Sequence, residues 1–346
     1  MLPDLSRLSV VAFGADAGDD DTEEEDDALG RILREMQERR RAAGRPPAPV
    51  LPSPPSDPAM PPCPEGFRPK KRAARLQLPK WRMENSFDFS FENPLDGKFK
   101  DLPVVKALLA DFPFLVFQRG TSYCHHAFGY RKRTVFFTSL INFQPTSPCP
   151  GTPCPHMRDS GAHPMGVADC DNAQKNSLPP RLIDMLIESW KERPRAADTL
   201  PVKHWLLIDV FHGFGSIKKR VRENPTHADV KVFSNDIVNR SDLDATLDMR
   251  TFALDTLLAM ALLKFWPEDA ERIAEHPMGA AGWCAQERVA VLFHLSTPCD
   301  TYSTQALGKH RKKGTTEPKT KAAQDADDMN AKLIAWLRAN ALSERV

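Results

Sequence analysis

The sequence predicts an α/β fold, a doubly wound, Rossmann-like sheet covered by helices on both faces, behind a disordered N-terminal tail. Three observations predict it. From Trp81 onward, apolar runs of strand length alternate with stretches of helical periodicity. Three of those runs, 205–211 (WLLIDVF), 230–237 (VKVFSNDI) and 288–296 (RVAVLFHLS), are almost continuously apolar, as parallel strands buried on both faces are. Ahead of them lie 80 residues whose composition cannot build a core. Nine of the twelve residues at 16–27 are acidic and eleven of the 24 at 46–69 are proline.

In chain order, the tail 1–80 carries a short amphipathic helix between its acidic and proline-rich parts. It ends in a basic run, PKKRAAR, that reads either as a nuclear-import or nucleic-acid patch or as a solvated stretch. Residues 85–91 (NSFDFSF) alternate as a strand, 103–117 read as a helix running into a strand, and 133–143 as a further strand. The stretch 144–170 is turn-rich and holds Cys149, Cys154, His156 and His163. A helix follows at 178–193, with its proline pair at the first turn, where a missing N–H costs little. Strand 205–211 leads through a glycine turn into a helix, strand 230–237 follows, and helices are expected at 254–266 and about 322–342 on either side of strand 288–296. Residues 81–346 are thus expected to form a single domain.

Charge and cysteine usage exclude several classes. The 346 residues carry 47 Lys/Arg and 46 Asp/Glu, so net charge identifies no partner. No run reaches the roughly 18 apolar residues of a membrane span, and the start lacks the basic region of a secretory leader. Seven cysteines form an odd, unevenly spaced set, unlike a disulfide scaffold. The expectation is an intracellular monomer, nuclear if the source is eukaryotic.

Special residues cluster where such strands end, which is where ligands bind in this class of sheet. After the first parallel strand comes Asp209-Val-Phe-His-Gly213-Phe-Gly215-Ser216, and the second ends near Asp236, suitably placed for ribose hydroxyls. Lys218 stands where a third phosphate-loop glycine would be, which favours a nucleoside cofactor without pyrophosphate, such as S-adenosylmethionine. The third strand ends at Ser296-Thr-Pro-Cys299.

Six motifs together resemble the DNA cytosine-5 methyltransferase family, over about residues 81–346. DVFHGFGS (209–216) resembles its cofactor motif and STPCDTYS (296–303) its Pro-Cys nucleophile motif, with Thr297 where a proline is more usual. FENPLDG (91–97) is similar to its Glu-Asn motif, and GYRKRTVFF (129–137) to its arginine motif, with Tyr130 where a glutamine is usual. AQKNSLPPRLIDMLI (173–187) resembles the closing motif, and AQDADDMNAKLIAWL (323–337) the helix after the nucleophile loop. The order departs from the family's usual one, because the Glu-Asn, arginine and closing motifs come first. A circular permutation gives this order, with old termini joined near 194–204; surface termini that lie close together make it tolerable.

The resemblance implies a methyltransferase fold and S-adenosylmethionine-dependent methylation of cytosine carbon 5 in DNA. Cys299 becomes the nucleophile that adds at carbon 6 of a flipped base. Glu92 holds the ring nitrogen and amine, a role that asks for a carboxyl in a dry pocket. Arg133, or alternatively Arg131, contacts the base carbonyl. Phe211, Gly213 and Gly215 shape the methionine pocket, with Asp209 ordering the loop; Asp236 takes the ribose, and Asp248 reaches the adenine amine, with Asp244 one helical turn away. Asn176 and Ser177 close the pocket from the permuted side.

Past Cys299, six Lys/Arg and one acid lie between Lys309 and Lys321. Lys309, Arg311, Lys312 and Lys313 in this glycine-containing loop are expected to contact DNA phosphates, which position a duplex without reading it. Cys124, Cys149, Cys154 and His163, with His156 or His125 as substitutes, form a candidate structural zinc site; ordinary reduced cysteines are the alternative. The same 144–170 insertion is a candidate for target recognition. Two rival functions stay open: an RNA cytosine methyltransferase, and a non-catalytic nucleic-acid-binding remnant of a mobile element.

Overall fold

The computed structural model describes residues 87–126, 128–151, 154, 155, 157, 162–165, 169–195, 200–238, 240–297, 301, 302 and 307–342. The expected tail, its amphipathic helix and its basic run lie outside the described residues.

The described strands are β1 (Phe87–Pro94), β2 (Phe117–Ser122), β3 (Arg133–Thr138), β4 (His204–Asp209), β5 (Val230–Ser234) and β6 (Val289–Leu295). The helices are α1 (Pro103–Asp111), α2 (Asn172–Asn176), α3 (Pro180–Lys191), α4 (Ser216–Glu223), α5 (Leu254–Phe265), α6 (Ala270–Glu275), α7 (Gly279–Glu287), α8 (Leu307–His310) and α9 (Lys321–Leu337). The strands make one mixed sheet in the order β2-β3-β1-β6-β4-β5. β1, β6, β4 and β5 run parallel, while β3 is antiparallel to both β1 and β2. The α/β expectation is met.

Side chains alternate across each strand, so each sheet face meets its own helices. On one face, Leu207, Val232, Ala290 and Leu292 pack with Leu182, Leu186 and Trp190 of α3 and Ile217 of α4. On the other, the Phe87 and Phe293 rings stack at 6.2 Å, and Trp336 of α9 stands edge-on to them at 5.7 and 5.0 Å. Because both faces are covered, Asp88, Ser90 and Glu92, the polar half of the β1 alternation, are buried too.

Two further helices lie between α5 and β6, where the sequence analysis placed none. They are short, and α7 contains two glycines, so neither shows a long apolar period. β2 begins at Phe117, where the sequence reading had its strand end, and β3 stops at Thr138 rather than at residue 143. Among the described residues, no helix is long and apolar enough to cross a membrane.

The chain leaves β4 through α4 for β5 on one side, whereas β6 and β1 lie on the other. The strand order therefore reverses between β4 and β6, which themselves run parallel. The carboxyl ends of those two strands border the crevice where doubly wound sheets bind ligands.

Candidate functional site

Two loops and two strand ends surround that crevice. The first loop, Asp209–Gly215, turns on two glycines in the left-handed region, with φ of 58° at Gly213 and 74° at Gly215. A Cβ on Gly215 would stand 2.7 Å from both Asp242 Oδ2 and His212 Nε2, so only glycine fits there. His212 is buried between two carboxylates, with Nδ1 3.2 Å from Asp209 and Nε2 2.8 Å from Asp242. Burial opposes charge on this imidazole, but the hydrogen bonds and charges of Asp209 and Asp242 outweigh it and raise its pKa. The loop is thus locked internally, with Asp209 and Asp242 holding the His212 ring between them.

Asp236, just beyond β5, accepts a hydrogen bond from the Gly213 N–H at 2.8 Å. Exposed apolar side chains flank it: Phe214, Ile237 and Val238 are 37, 52 and 56 % accessible. The Asp236 carboxylate is thus half-buried, with exposed apolar side chains on either side of the loop that it holds. Phe211 is half-buried in the same loop. From the other part of the chain, the Asn176 carbonyl lies 3.8 Å from where a Gly213 Cβ would be, and Leu178 N–H donates to Ser216 Oγ at 3.2 Å. Asn176 and the segment containing Ser177 therefore sit on the glycine loop.

Asp248 is committed elsewhere. Its carboxylate accepts from Arg250 Nε at 2.9 Å, from Nη2 at 2.6 Å and from the Arg250 N–H at 2.9 Å, closing its own turn. Asp244, the neighbouring alternative, is bound by Lys218, Lys264 and Ser234. Lys218 thus fastens β5 rather than meeting a phosphate.

The second pair of strand ends is β1 and β6. Their register sets Phe91 opposite Leu295, and Asn93 Nδ2 donates to Thr297 Oγ1 at 3.0 Å. His294, driven toward its neutral form by burial, lies 2.9 Å from Ser296 Oγ. Pro298 and Cys299 follow directly, and both lie outside the described residues. Glu92 is buried at this end of β1. It accepts from Tyr123 Oη at 3.3 Å and Thr134 Oγ1 at 3.2 Å, with Lys132 Nζ 3.6 Å away. Burial, with the Glu92 and Tyr130 charges, pushes the Tyr123 phenol up, so it remains a donor.

The arginine assignment needs correction. Lys132 and Thr134 share a face by strand alternation and reach Glu92. Arg133 projects the other way, onto Asp96 at 3.0 Å, and Arg131 is exposed and lies over Gly151. Sequence reasoning missed Lys132 because it sought an arginine; the two-residue period gave the available signal.

The basic segment also differs from a mobile loop. Arg311 and Pro318 form an antiparallel bridge, with Gly314 at φ 76° in the turn between them. Lys309, Lys312 and Lys313 are exposed, as phosphate contacts must be. Arg311 is 0 % accessible, which overturns its assignment to DNA. Its guanidinium binds Asp327 of α9 at 2.7 and 3.0 Å and the Thr301 carbonyl at 2.9 Å, and stacks over the Tyr302 ring at 4.4 Å. Tyr302 in turn accepts from Lys98 N–H at 2.9 Å through its carbonyl. Arg311 therefore anchors the chain just beyond Cys299.

No protein-family model, curated protein or solved structure matches this chain.

A separate cluster lies beyond β2. Cys124 and His125, in the turn Tyr123–His126, meet Cys149 and Cys154, and their four ligand atoms lie within 4.8 Å of one another. This donor set suits a metal such as zinc. The expected fourth ligand changes: His125 completes the four, whereas His163 Nε2 stands 3.6 Å from Cys149 Sγ, and His156 lies outside the described residues.

Proposed function

We propose that the chain is an S-adenosylmethionine-dependent DNA cytosine-5 methyltransferase with circularly permuted motif order. One observation carries the reading most directly: the Asn93–Thr297 hydrogen bond. Two motifs 204 positions apart, each short and weak alone, are joined across neighbouring strands. Glu92 thereby lies beside the segment that leads into Pro298-Cys299.

The permutation draws support from the packing of α9. It follows β6 and runs back along the sheet, so that Trp336 near its end meets Phe87 at the start of β1. An unpermuted chain would pass there from helix to strand as an ordinary βαβ unit.

In this reading Asp236 binds the ribose hydroxyls, Phe214, Ile237 and Val238 cover the adenine, and Asn176 closes the glycine loop. S-adenosylmethionine bound there supplies an electrophilic methyl group. Cys299 adds to carbon 6 of cytosine, which places electron density on carbon 5. Glu92 hydrogen-bonds the ring nitrogen and amine, and the neighbouring Lys132 ammonium offsets charge on that side. Carbon 5 takes that methyl group, leaving S-adenosylhomocysteine; loss of the carbon 5 proton to water and release of the thiolate from carbon 6 then restore the aromatic ring. The exposed Lys309, Lys312 and Lys313 hold phosphates while the base leaves the stack.

Methyl-labelled S-adenosylmethionine, incubated with the full chain and with DNA or RNA, tests the proposal. Label in DNA cytosine that disappears in Cys299→Ala is the expected result. Label only in RNA, or cofactor binding without transfer, refutes it.

A further inference from the structure

We propose that Cys124, His125, Cys149 and Cys154 bind one zinc ion, a structural centre that fastens Cys149 and Cys154 to the turn beyond β2. The inference goes beyond methyl transfer and does not depend on it.

The donor geometry comes first. A tetrahedral zinc with Zn–S bonds of about 2.3 Å sets its sulfurs about 3.8 Å apart. Four ligand atoms already within 4.8 Å of one another need to contract by only about an ångström. Three thiols and one imidazole form a soft, nitrogen-containing set that selects zinc over magnesium or calcium. The ligands come from separate stretches of chain, since 24 residues lie between Cys124 and Cys149.

The second argument is energetic. Among the described residues, the buried apolar cluster at this point consists of Cys124, Cys149 and Cys154, with Met157 half-buried against them. Ordering a loop costs roughly 1–2 kcal/mol per residue, far more than burying three thiols returns. Small units lacking a core of their own are commonly held by a metal or a disulfide. Three thiols cannot pair evenly, so a disulfide would leave one over. A metal uses all three.

Binding is balanced as ligand exchange without redox change. Zn2+ displaces three thiol protons and takes the imidazole lone pair, giving a ZnS3N centre of charge −1. Two groups can compensate that charge: His163 Nε2, 3.6 Å from Cys149 Sγ, and Arg131, whose guanidinium lies over Gly151. The Cys149 N–H donates to Ser122 Oγ at 2.9 Å, so the loop is already fixed to β2 at this point.

The centre also reaches the candidate site. Cys124 follows Tyr123, whose hydroxyl donates to Glu92. Where the methyltransferase reading holds, zinc is therefore expected to hold Tyr123 in place as a positioning residue.

The full chain, purified under reducing conditions, is assayed for zinc by mass spectrometry and reconstituted with cobalt. One metal per chain is expected, with the cobalt form absorbing by charge transfer from three thiolates. Cys154→Ser should lose the metal, while His163→Ala should keep it. Should Cys154→Ser fail to fold, the wild-type chain decides: excess chelator lowers its melting temperature, and added zinc restores it. A metal-free chain whose melting temperature ignores zinc overturns the proposal, as does a disulfide joining any two of the three cysteines. None of these readouts uses DNA or S-adenosylmethionine, so failure of methyl transfer leaves them unaffected.

Discussion

Arg311→Met separates an anchoring role from a DNA-contacting one. Arg311 is fully buried, and Asp327 has a side chain 20 % exposed. Methionine fills much of the arginine's volume but removes both bonds to Asp327 and the bonds to the Thr301 and Thr316 carbonyls. Removing one partner of a buried ion pair costs about 3–5 kcal/mol, because the other charge is left without compensation. Asp327 keeps the Tyr302 hydroxyl at 2.8 Å and some water, so the loss falls at the low end, about 3 kcal/mol. At about 2–4 °C per kcal/mol for a domain of this size, melting falls by about 6–12 °C. Urea unfolding measures the free energy directly, and the double variant Arg311→Met/Asp327→Leu should recover part of it. Lys312→Ala/Lys313→Ala provides the contrast. It should leave stability within about 0.5 kcal/mol of wild type. It should also reduce the salt slope of DNA affinity by about 0.9 for each phosphate no longer neutralised. If Arg311→Met unfolds like wild type and lowers the salt slope instead, the anchoring argument is wrong.

Other expectations follow from the site. In Gly215→Ala, the new methyl group meets Asp242 and His212 at 2.7 Å on a left-handed backbone. A destabilisation of at least about 2 kcal/mol in urea is expected, and a neutral result would contradict the locked loop. His212 has a raised pKa, so its contribution to stability is complete below about 6.5 and is lost as pH rises through the higher folded value. Asp242, lowered chiefly by its hydrogen bond to His212, adds a loss in acid as pH falls through its depressed value. Stability measured from pH 2 to 9 should fall on both sides, the acid limb lying below about pH 3.8, and His212→Asn should remove the alkaline fall; an unchanged alkaline limb would exclude His212 as its source. Glu92→Gln keeps a hydrogen-bonding side chain, so melting should change little while methyl transfer drops by about 100-fold or more. Wild-type turnover in that variant would remove Glu92 from the chemistry.

The sequence makes the parallel strands and their loops readable because both depend on local chemistry. Apolar runs give β4, β5 and β6, a proline pair marks the start of α3, and glycines mark the turn after β4. What stays hidden depends on partners distant in the chain. Arg311 has the same chemistry as Lys312 and Lys313, and only Asp327, on a helix yet to come, draws it inside. Asp248 looks available until Arg250, two positions on, occupies both its oxygens. The metal cluster was half legible, since spacing pointed to Cys149 and Cys154 but could not choose among three histidines.

The polar face of β1 shows how one strand separates structure from chemistry. Asp88 and Glu92 point to the same side, four residues apart, and both are buried. Asp88 is held by Arg193 at 2.6 Å and Ser139 Oγ at 2.8 Å, short bonds that neutralise its charge within the sheet. Such an arrangement fastens a central strand whose β6 partner lies some two hundred residues away, a pairing with a high entropic cost of closure. Glu92, at the strand's open end, has two hydroxyls at 3.3 and 3.2 Å and an ammonium at 3.6 Å. These contacts are longer and weaker, so under the proposed function an incoming base replaces them at small cost. The bonding partners, rather than burial, distinguish the carboxylate that holds the fold from the one available to a substrate.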